Sequence, residues 1–241
     1  MDSRIIRLNS MLTEAKNIVF FTGAGISTGA GIPDFRSSKG LYQKTPEEVL
    51  SAKYADAHHD AFLKFLRENL DTRNAEPTVA HKVIVELQEK KNITVITQNI
   101  DGLHELAGSR TVHNIHGSFS YPPYCLDCGR DVSLDTLFSE AHTCPYCGGT
   151  MPHPDIVLYG EGMRHPDWQD AIIAASQADI LVVVGTSLSV YPAANILYYF
   201  GEMNWDKLVI INRDSTYFDV DAELVFHEDI QEVFKEIKIY E

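Results

Sequence analysis

Four cysteines, arranged as two C-x2-C pairs, carry the clearest chemical signal in the sequence. Cys125 and Cys128 form the first pair, Cys144 and Cys147 form the second, and fifteen residues separate the pairs. Each pair can present two thiolates to one ion, and Zn²⁺ prefers a tetrahedron of four such ligands. Because thiolates would fill all four positions, we expect a structural Zn²⁺. The alternative is four reduced thiols that hold no metal.

A glycine-rich segment, residues 23–31, follows the apolar run from Ile18 to Thr22. A loop that leaves a buried strand lies where open α/β sheets bind ligands, and glycines let its backbone N–H groups approach a pyrophosphate. The spacing departs from G-x-G-x-x-G, because Thr28 stands at the third glycine position. No phosphate-loop motif ending in Lys-Ser or Lys-Thr occurs, which excludes that class of NTPase. A tight turn without a ligand stays open as an alternative.

Polar side chains also follow the next two predicted strands. Asn99 and Asp101 come after the strand at 93–97, and His116 comes after the strand at 112–115. Loops after parallel strands share one edge of the sheet, so we expect these side chains to converge near the glycine loop. An imidazole in that place could act as a general base near neutral pH. The alternative for any single histidine is an ordinary core or surface position.

Two further strand ends carry small or polar residues. Gly185, Thr186 and Ser187 follow the strand at 180–184, and Asn212 follows the strand at 208–211. Hydroxyl groups at such a position could bind phosphate or ribose, and the amide could bind an adenine or ribose edge. Taken alone, each group is more typical of an ordinary turn than of a ligand site.

The elements that would position these residues alternate between strand and helix. Helical spacing is found at residues 4–16, 46–52, 59–70, 77–89, 192–200 and 229–238. Apolar strands that alternate with helices predict an α/β fold with a parallel sheet covered on both faces. The Pro- and Gly-rich cysteine segment, 121–154, and the helical stretch 37–74 interrupt this alternation, so we expect two insertions.

The composition limits the possible partners and the location. The net charge is −14 and 44% of the 241 residues are hydrophobic, which fits a globular protein with a sizeable core. So acidic a chain is a poor match for nucleic acid and a better one for a basic partner or a small cofactor. The sequence contains no apolar run of the ~18 residues that span a membrane, so we expect a cytoplasmic protein without membrane attachment.

Taken together and in order, these motifs resemble the sirtuin family, most closely its bacterial, undifferentiated branch. The resemblance covers residues 18–213 and is carried by segments 23–27 (GAGIS), 31–36 (GIPDFR), 97–101 (TQNID), 116–117 (HG), both C-x2-C pairs and 185–188 (GTSL). It implies a Rossmann-like domain of residues 1–36, 75–120 and 155–241. The insertion at 37–74 and the zinc module at 121–154 would form the small domain.

The resemblance further implies removal of acetyl groups from protein lysines, with NAD⁺ as a consumed co-substrate. Nicotinamide, free lysine and 2'-O-acetyl-ADP-ribose would be the products. His116 would be the general base, and Asn99 would position ribose or an ordered water. The residues expected to contact NAD⁺ are Gly23, Ala24, Gly25, Ser27, Thr28, Asp34, Phe35, Arg36, Gln98, Asn99, Ile100, Asp101, His116, Gly185, Thr186, Ser187, Asn212, Arg213 and Ile230.

By the same resemblance, the substrate peptide adds as a strand between two segments of the chain. The residues expected to contact it are Phe35, Val157, Leu158, Tyr159, Gly160, Glu161, Ser189 and Val190. Tyr159 stands where the family more often has phenylalanine, and Glu228-Asp229 replaces the usual Gly-Asp. Ala57 stands three residues after Tyr54, where the desuccinylase branch has arginine, so we expect short neutral acyl groups.

Two other functions compete with deacetylation. Mono-ADP-ribosyl transfer would use the same NAD⁺ cleft with a different nucleophile. A non-catalytic NAD⁺-sensing scaffold with a zinc module is the second alternative. The presence of Asn99, Asp101 and His116 argues against the scaffold, because a scaffold would not need an acid–base set.

Overall fold

The protein is described by a computed structural model that covers residues 2–38, 40–164 and 166–239, without the side chains of residues 202 and 203. The described residues form a parallel six-stranded sheet and a separate two-stranded one. The strands are β1 (Asn17–Thr22), β2 (Asn92–Thr97), β3 (Val112–Asn114), β4 (Tyr124–Cys125), β5 (Pro152–His153), β6 (Ile180–Val184), β7 (Leu208–Ile211) and β8 (Leu224–Phe226).

Helices connect the strands of the large sheet. The α-helices are α1 (Ser3–Glu14), α2 (Ala52–Ala57), α3 (His59–Asn69), α4 (Val79–Leu87), α5 (Leu103–Ala107), α6 (Leu134–Phe138), α7 (Asp167–Ser176), α8 (Ile196–Phe200) and α9 (Ile230–Lys235). Short 3₁₀ helices cover Ala24–Ala30, Leu41–Gln43, Glu47–Leu50, Ala193–Asn195 and Glu202–Lys207. Within the described ranges, no helix has the length and apolar character needed to cross a membrane.

The large sheet has the strand order β3-β2-β1-β6-β7-β8. The chain runs outward in one direction from β1 through β2 to β3, and in the other direction from β6 to β8. Between β1 and β6 the order therefore reverses, which is where open α/β sheets bind ligands. Strand β1 is apolar on both faces because Ile18 and Phe20 face one layer of helices and Val19 and Phe21 face the other.

Two layers of helices cover the sheet. The first core cluster joins α1, α4 and α9 to one face, and the second joins α7 and α8 to the other. This arrangement confirms the expected α/β, Rossmann-like class. Helix α7 and strand β8 were not predicted from the sequence. Helix α7 buries mainly the small residues Ala171 and Ala175, and β8 has only three residues, so neither has a strong hydrophobic pattern.

The two predicted insertions pack against each other. A third core cluster joins Phe62 and Leu66 of α3 to Leu137 and Phe138 of α6, which lies in the cysteine segment. The ring of Phe119 meets that of Phe138 edge to face, with centroids 5.4 Å apart. This apolar cluster packs the two insertions against each other and against Phe119, which lies in the predicted Rossmann-like domain. The residue boundaries of the two domains stay a prediction.

A pair of buried histidines lies below the glycine loop. His81 and His104 are 0% and 1% exposed, and their ring centroids are 4.5 Å apart. Nδ1 of His81 accepts a hydrogen bond from the Thr78 amide at 3.3 Å, and the Thr78 hydroxyl lies 3.2 Å from the Ile26 carbonyl oxygen. Nε2 of His104 lies 3.0 Å from the Thr22 hydroxyl. The pair therefore supports the end of β1 and the segment that follows it.

Burial lowers the pKa of His81 to about 4 and that of His104 well below its usual value of 6.5. Between pH 6.5 and about 4 the unfolded chain therefore binds protons that the folded chain excludes, and stability falls as the pH falls. We expect His81→Asn, which keeps an acceptor near Nδ1, to flatten the dependence of unfolding free energy on pH. The change should approach ~1.4 kcal/mol per pH unit, the value for one proton.

Chemical denaturation at several pH values between 4 and 7 measures this slope. Because the ring fills a fully buried site, the variant should be less stable than wild type at every pH. The slope is therefore the quantity to compare. An unchanged slope in a folded variant would show that His81 does not exclude a proton.

Candidate active site

The carboxyl ends of the parallel strands meet at one edge of the sheet, beside a cleft of about 600 Å³. This is the edge at which the sequence places its polar motifs. The predicted residues that line the cleft are Gly23, Ala24, Gly25, Thr28, Asp34, Phe35, Arg36, Gln98, Asn99, Ile100, His116, Val157, Leu158, Tyr159, Gly160, Glu161, Gly185, Thr186, Ser187, Val190, Asn212, Arg213 and Ile230. Ser27, Asp101 and Ser189 are not part of this lining.

The glycine loop packs directly against the turn after β6. The amides of Gly23 and Gly25 donate to the carbonyl oxygens of Val184 and Gly185 at 3.0 and 2.8 Å. A Cβ atom on Gly25 would lie 2.7 Å from Cα of Gly185, closer than atoms can approach. These two glycines are therefore required by backbone packing, and their N–H groups are bonded within the protein. Both glycines also line the cleft, and their contact with a pyrophosphate stays a prediction.

His116 lies in the cleft wall, just after β3. Its Nδ1 is 3.0 Å from the carbonyl oxygen of Gln98, which can only accept, so Nδ1 carries the proton of the neutral ring. Nε2 then has a free lone pair, as a general base requires. Burial lowers the pKa of His116. The ring is therefore neutral at physiological pH and able to take up a proton.

A short polar chain lies beside this histidine. The Asn99 side-chain amide donates to the Ser27 hydroxyl at 3.2 Å, and that hydroxyl donates to the Asp101 carboxylate at 2.6 Å. The carboxylate also accepts the Leu103 amide at 2.9 Å. Burial raises the pKa of Asp101. Ser27 and Asp101 thus lie behind Asn99 and fix the orientation of its amide.

The opposite end of the cleft is closed by turns after β6 and β7. The side-chain amide of Gln98 donates to the Thr186 hydroxyl at 3.0 Å, which joins the β2 and β6 ends. The Asn212 side chain donates to the Asp214 carbonyl at 2.7 Å, so it stabilises its own turn. The Ser189 hydroxyl lies 2.7 Å from that of Ser187, next to the lining.

The segment 157–161 forms one lip of the cleft. The Val157 amide donates to the His116 carbonyl oxygen at 2.7 Å, and Tyr159 pairs through its backbone with Leu50 and Ala52 at 2.9 and 3.0 Å. Gly117 allows this approach, because it has φ of 73° and a Cβ there would lie 2.2 Å from the Asp155 carbonyl oxygen. The expected peptide-binding segment is therefore joined directly to the predicted base.

Several lining residues were missed by the sequence reasoning: Gly29, Ser37, Tyr42, Leu50, Ile156, Met163, Tyr191, Pro192, Asp214, Glu228, Asp229 and Gln231. Gly29 belongs to the glycine-rich segment, and Gln231 lies in α9. Ser37, Tyr42 and Leu50 come from the helical insertion, and no local motif shows that it folds back over the sheet.

The four cysteines converge in the small domain. All four Sγ atoms lie within 4.8 Å of one another, with Cys125–Cys147 at 3.7 Å and Cys128–Cys144 at 3.8 Å. A tetrahedron with Zn–S bonds of ~2.3 Å has edges of ~3.8 Å. The thiol sulfurs are not joined as disulfides. The geometry and the donor set therefore fit Zn²⁺, with no position left for water.

Fold and site together define a nucleotide-binding α/β protein with a structural metal module. The model of the Sir2 family matches residues 23–192. The NAD-dependent protein deacetylase of Clostridium acetobutylicum is 40% identical over 97% of this chain and 98% of that protein. That of Listeria monocytogenes is 41% identical over 96% of this chain and 99% of its own.

Solved structures similar to this chain belong to the same family. A Sir2 variant with deacetylated p53 peptide and 3'-O-acetyl-ADP-ribose has a TM-score of 0.89 and 34% identity, covering 96% of each chain. A Sir2–p53 peptide–NAD⁺ complex has a TM-score of 0.85 and 34% identity, covering 98% of this chain and 96% of that one. This chain belongs to the Sir2 family, as its resemblance to sirtuins implied.

We expect Cys144→Ser to lose both zinc and stability, because a structural site contributes its binding energy to folding. Purified protein should contain one zinc per chain in the wild type and less in the variant, with a lower melting temperature. Metal analysis and thermal unfolding measure the two effects. Thr143→Ser, which keeps the neighbouring hydroxyl, is the control. A metal-free wild type of full stability would contradict the assignment.

Proposed function

We propose that this protein is an NAD⁺-dependent protein-lysine deacetylase. The observation that supports it best is the position of His116, whose ring lies in the cleft wall between the glycine loop and segment 157–161. One imidazole can thus reach a nucleotide and a lysine side chain bound in the same cleft. Relatives of about 40% identity are named NAD-dependent protein deacetylases.

The reaction requires the acetyl oxygen of the lysine to approach the ribose carbon that carries nicotinamide. Well-oriented reacting groups have effective molarities of ~10⁵–10⁸ M, so holding these two atoms in line supplies much of the rate acceleration. Gln98, Asn99 and Ile100 lie in one run of chain beside His116 and form the wall for the ribose and nicotinamide. Phe35 on the facing loop covers the ribose and excludes water.

His116 removes a proton from a ribose hydroxyl. Its Nδ1 is occupied by the Gln98 carbonyl oxygen, so Nε2 is the atom that accepts the proton. The lowered pKa keeps the ring neutral before each turnover. Positioned general bases of this kind contribute typically 10²- to 10⁴-fold to a rate.

Asn99 and its partners orient the nicotinamide end. The Asn99 amide donates to Ser27, so its carbonyl oxygen is left to hold a ribose hydroxyl or an ordered water. The half-buried Asp101 carboxyl lies behind Asn99, outside the present lining, and would serve the carboxamide of nicotinamide when NAD⁺ is bound. The remaining predicted contacts, from Gly23 to Ile230, follow the nucleotide towards its adenine.

The substrate peptide binds as an added strand between segments 157–161 and 189–191. Main-chain hydrogen bonding makes this mode tolerant of peptide sequence. Glu161 lines the cleft, and the chain carries a net charge of −14, so Lys- and Arg-rich proteins are favoured.

When bound, Zn²⁺ would hold the cysteine module together, and the four thiolates that bind it lie outside the cleft lining. The reduced thiols support the proposed cytoplasmic location.

Mono-ADP-ribosyl transfer and non-catalytic NAD⁺ sensing are the competing functions. The transferase would need a nucleophile other than the acetyl oxygen, although it would use the same cleft. The sensor would need neither the oriented His116 nor the lip at 157–161. Segment 157–161 and His116 line the same cleft, and the Val157 amide bonds the His116 carbonyl oxygen. This arrangement favours deacetylation.

Mass spectrometry of an acetyl-lysine peptide, incubated with and without NAD⁺, tests the proposal. We expect the peptide to lose about 42 Da, the mass difference between an acetyl group and a hydrogen atom, only when NAD⁺ is present. Nicotinamide should be released at the same time. His116→Ala should lower the rate ~10²- to 10⁴-fold, because it removes the base. His58→Ala, an exposed histidine of the insertion, is the matched control.

Each other outcome has a defined meaning. A folded His116→Ala variant with wild-type turnover would remove the base assignment. An added ADP-ribose on protein, without loss of acetyl, would establish the transferase. NAD⁺ binding without any change in peptide or nucleotide would establish the sensor.

A succinyl-peptide should react at least ~10-fold more slowly than the acetyl-peptide, because a buried carboxylate without a cationic partner is costly. Among the described residues of the lining, the cationic side chains are Arg36 and Arg213. Arg36 already pairs with Glu47 at 2.5 Å, and Arg213 is 65% exposed beside Asp214. Comparing kcat/KM for the two peptides measures the preference. A faster succinyl-peptide would refute the expected preference for neutral acyl groups.

A further inference from the structure

Tyr159 joins three parts of the cleft. It belongs to the peptide lip (residues 157–161), and it contacts the cofactor loop (residues 34–38 and 40–42) and the insertion edge (residues 47–52). The backbone of Tyr159 belongs to the lip and forms a parallel bridge with Ser51 of the insertion edge. Its hydroxyl reaches the cofactor loop. Deacetylation as proposed above brings NAD⁺ under this loop and the peptide against this lip, and the inference rests on that function.

The contacts of the hydroxyl are specific. Nη2 of Arg36 donates to the Tyr159 oxygen at 3.0 Å, and the Tyr42 hydroxyl donates to it at 3.3 Å. Nη2 of Arg36 also donates to the Glu47 carboxylate at 2.5 Å. Burial raises the pKa of Tyr159, so the hydroxyl keeps its proton. One oxygen therefore receives two donors, both from the cofactor loop.

Both donor residues lie against Phe35 or its neighbours within the loop. The Tyr42 amide donates to the Phe35 carbonyl at 2.9 Å, and the two rings lie 5.4 Å apart. The guanidinium of Arg36 lies over the Tyr42 ring, 5.5 Å from its centroid. Fixing Arg36 and Tyr42 thus fixes Phe35, the residue that covers the ribose in the proposed reaction.

A phenylalanine at position 159 would fill the same volume without these bonds. The family more often has phenylalanine there, so the hydroxyl adds these contacts to the family's usual side chain. The backbone of Tyr159 is part of the lip, and its hydroxyl accepts hydrogen bonds from two side chains of the cofactor loop. A peptide that orders the lip therefore also orders the acceptor on which the loop closes.

We propose that the Tyr159 hydroxyl is a positioning group that couples peptide binding at the lip to closure of the cofactor loop over NAD⁺. Such coupling is reciprocal: peptide tightens NAD⁺ binding by the same factor by which NAD⁺ tightens peptide binding. The hydroxyl acts through Arg36, Tyr42 and Phe35.

The test compares Tyr159→Phe with wild type in binding and in turnover. Isothermal titration of carba-NAD⁺, which is not cleaved, with and without a saturating acetyl-lysine peptide gives the coupling factor. We expect ~3- to 10-fold tighter binding with peptide in the wild type, the size of one or two hydrogen bonds, and a factor near 1 in the variant. In turnover, KM for NAD⁺ should rise ~3- to 10-fold, while kcat stays within about twofold.

Two further variants separate this role from a general loss of structure. Tyr42→Phe removes one donor from the loop side, and its effect should be non-additive with that of Tyr159→Phe. Tyr217→Phe, at a tyrosine that is 83% exposed, should leave both KM and the coupling factor unchanged. If Tyr159→Phe does not fold, Tyr42→Phe alone tests the proposal: a coupling factor below the wild-type value supports it, and an unchanged factor overturns it.

The proposal is overturned if wild type shows no coupling, if Tyr159→Phe keeps the wild-type factor, or if the two tyrosine effects simply add. These readings do not depend on turnover. Coupled binding of carba-NAD⁺ and peptide in a wild type that never deacetylates would refute the proposed function and leave the coupling intact. Deacetylation by a wild type that binds carba-NAD⁺ and peptide independently would support the proposed function and refute the coupling.

Discussion

The site depends on one close backbone contact at the centre of the sheet. Gly25 lies so near Gly185 that its amide bonds the Gly185 carbonyl at 2.8 Å and neither residue has room for a Cβ. This contact joins the ends of β1 and β6, between which the strand order reverses. Such a reversal opens a crevice at the strand ends. Gln98, Asn99, His116, Thr186 and Asn212 all lie just after β2, β3, β6 or β7, at the edge of the sheet where this junction is found.

Electrostatics at this edge follow from burial. Burial keeps His116 neutral and raises the pKa of Asp101, while the Gln98 carbonyl selects the histidine tautomer with a free Nε2. Both effects come from the protein itself and exist before a ligand arrives. A cleft prepared in this way stabilises developing charge without reorganising its own dipoles.

Much of this arrangement was predictable from the sequence. Strands β1, β2, β6 and β7 were predicted to within one residue, because buried parallel strands are continuous apolar runs. The zinc cluster followed from cysteine spacing alone. Other features depend on tertiary contacts: the buried pair His81 and His104 has no local signature, and Tyr42 enters the cleft only because the insertion folds back. The glycine loop lies where the sequence predicts, and its glycines are required for backbone packing, which their spacing alone does not reveal.

The two walls of the cleft are built with different strengths, and the reaction needs both. One wall consists of strand ends joined by backbone hydrogen bonds, which hold the reacting groups in register. The other is the cofactor loop, fixed to the lip by side-chain contacts of Arg36 and Tyr42. A consumed co-substrate must enter and its products must leave in every turnover, so one wall has to open. Side-chain hydrogen bonds of ~1 kcal/mol each are strong enough to close that wall and weak enough to release it.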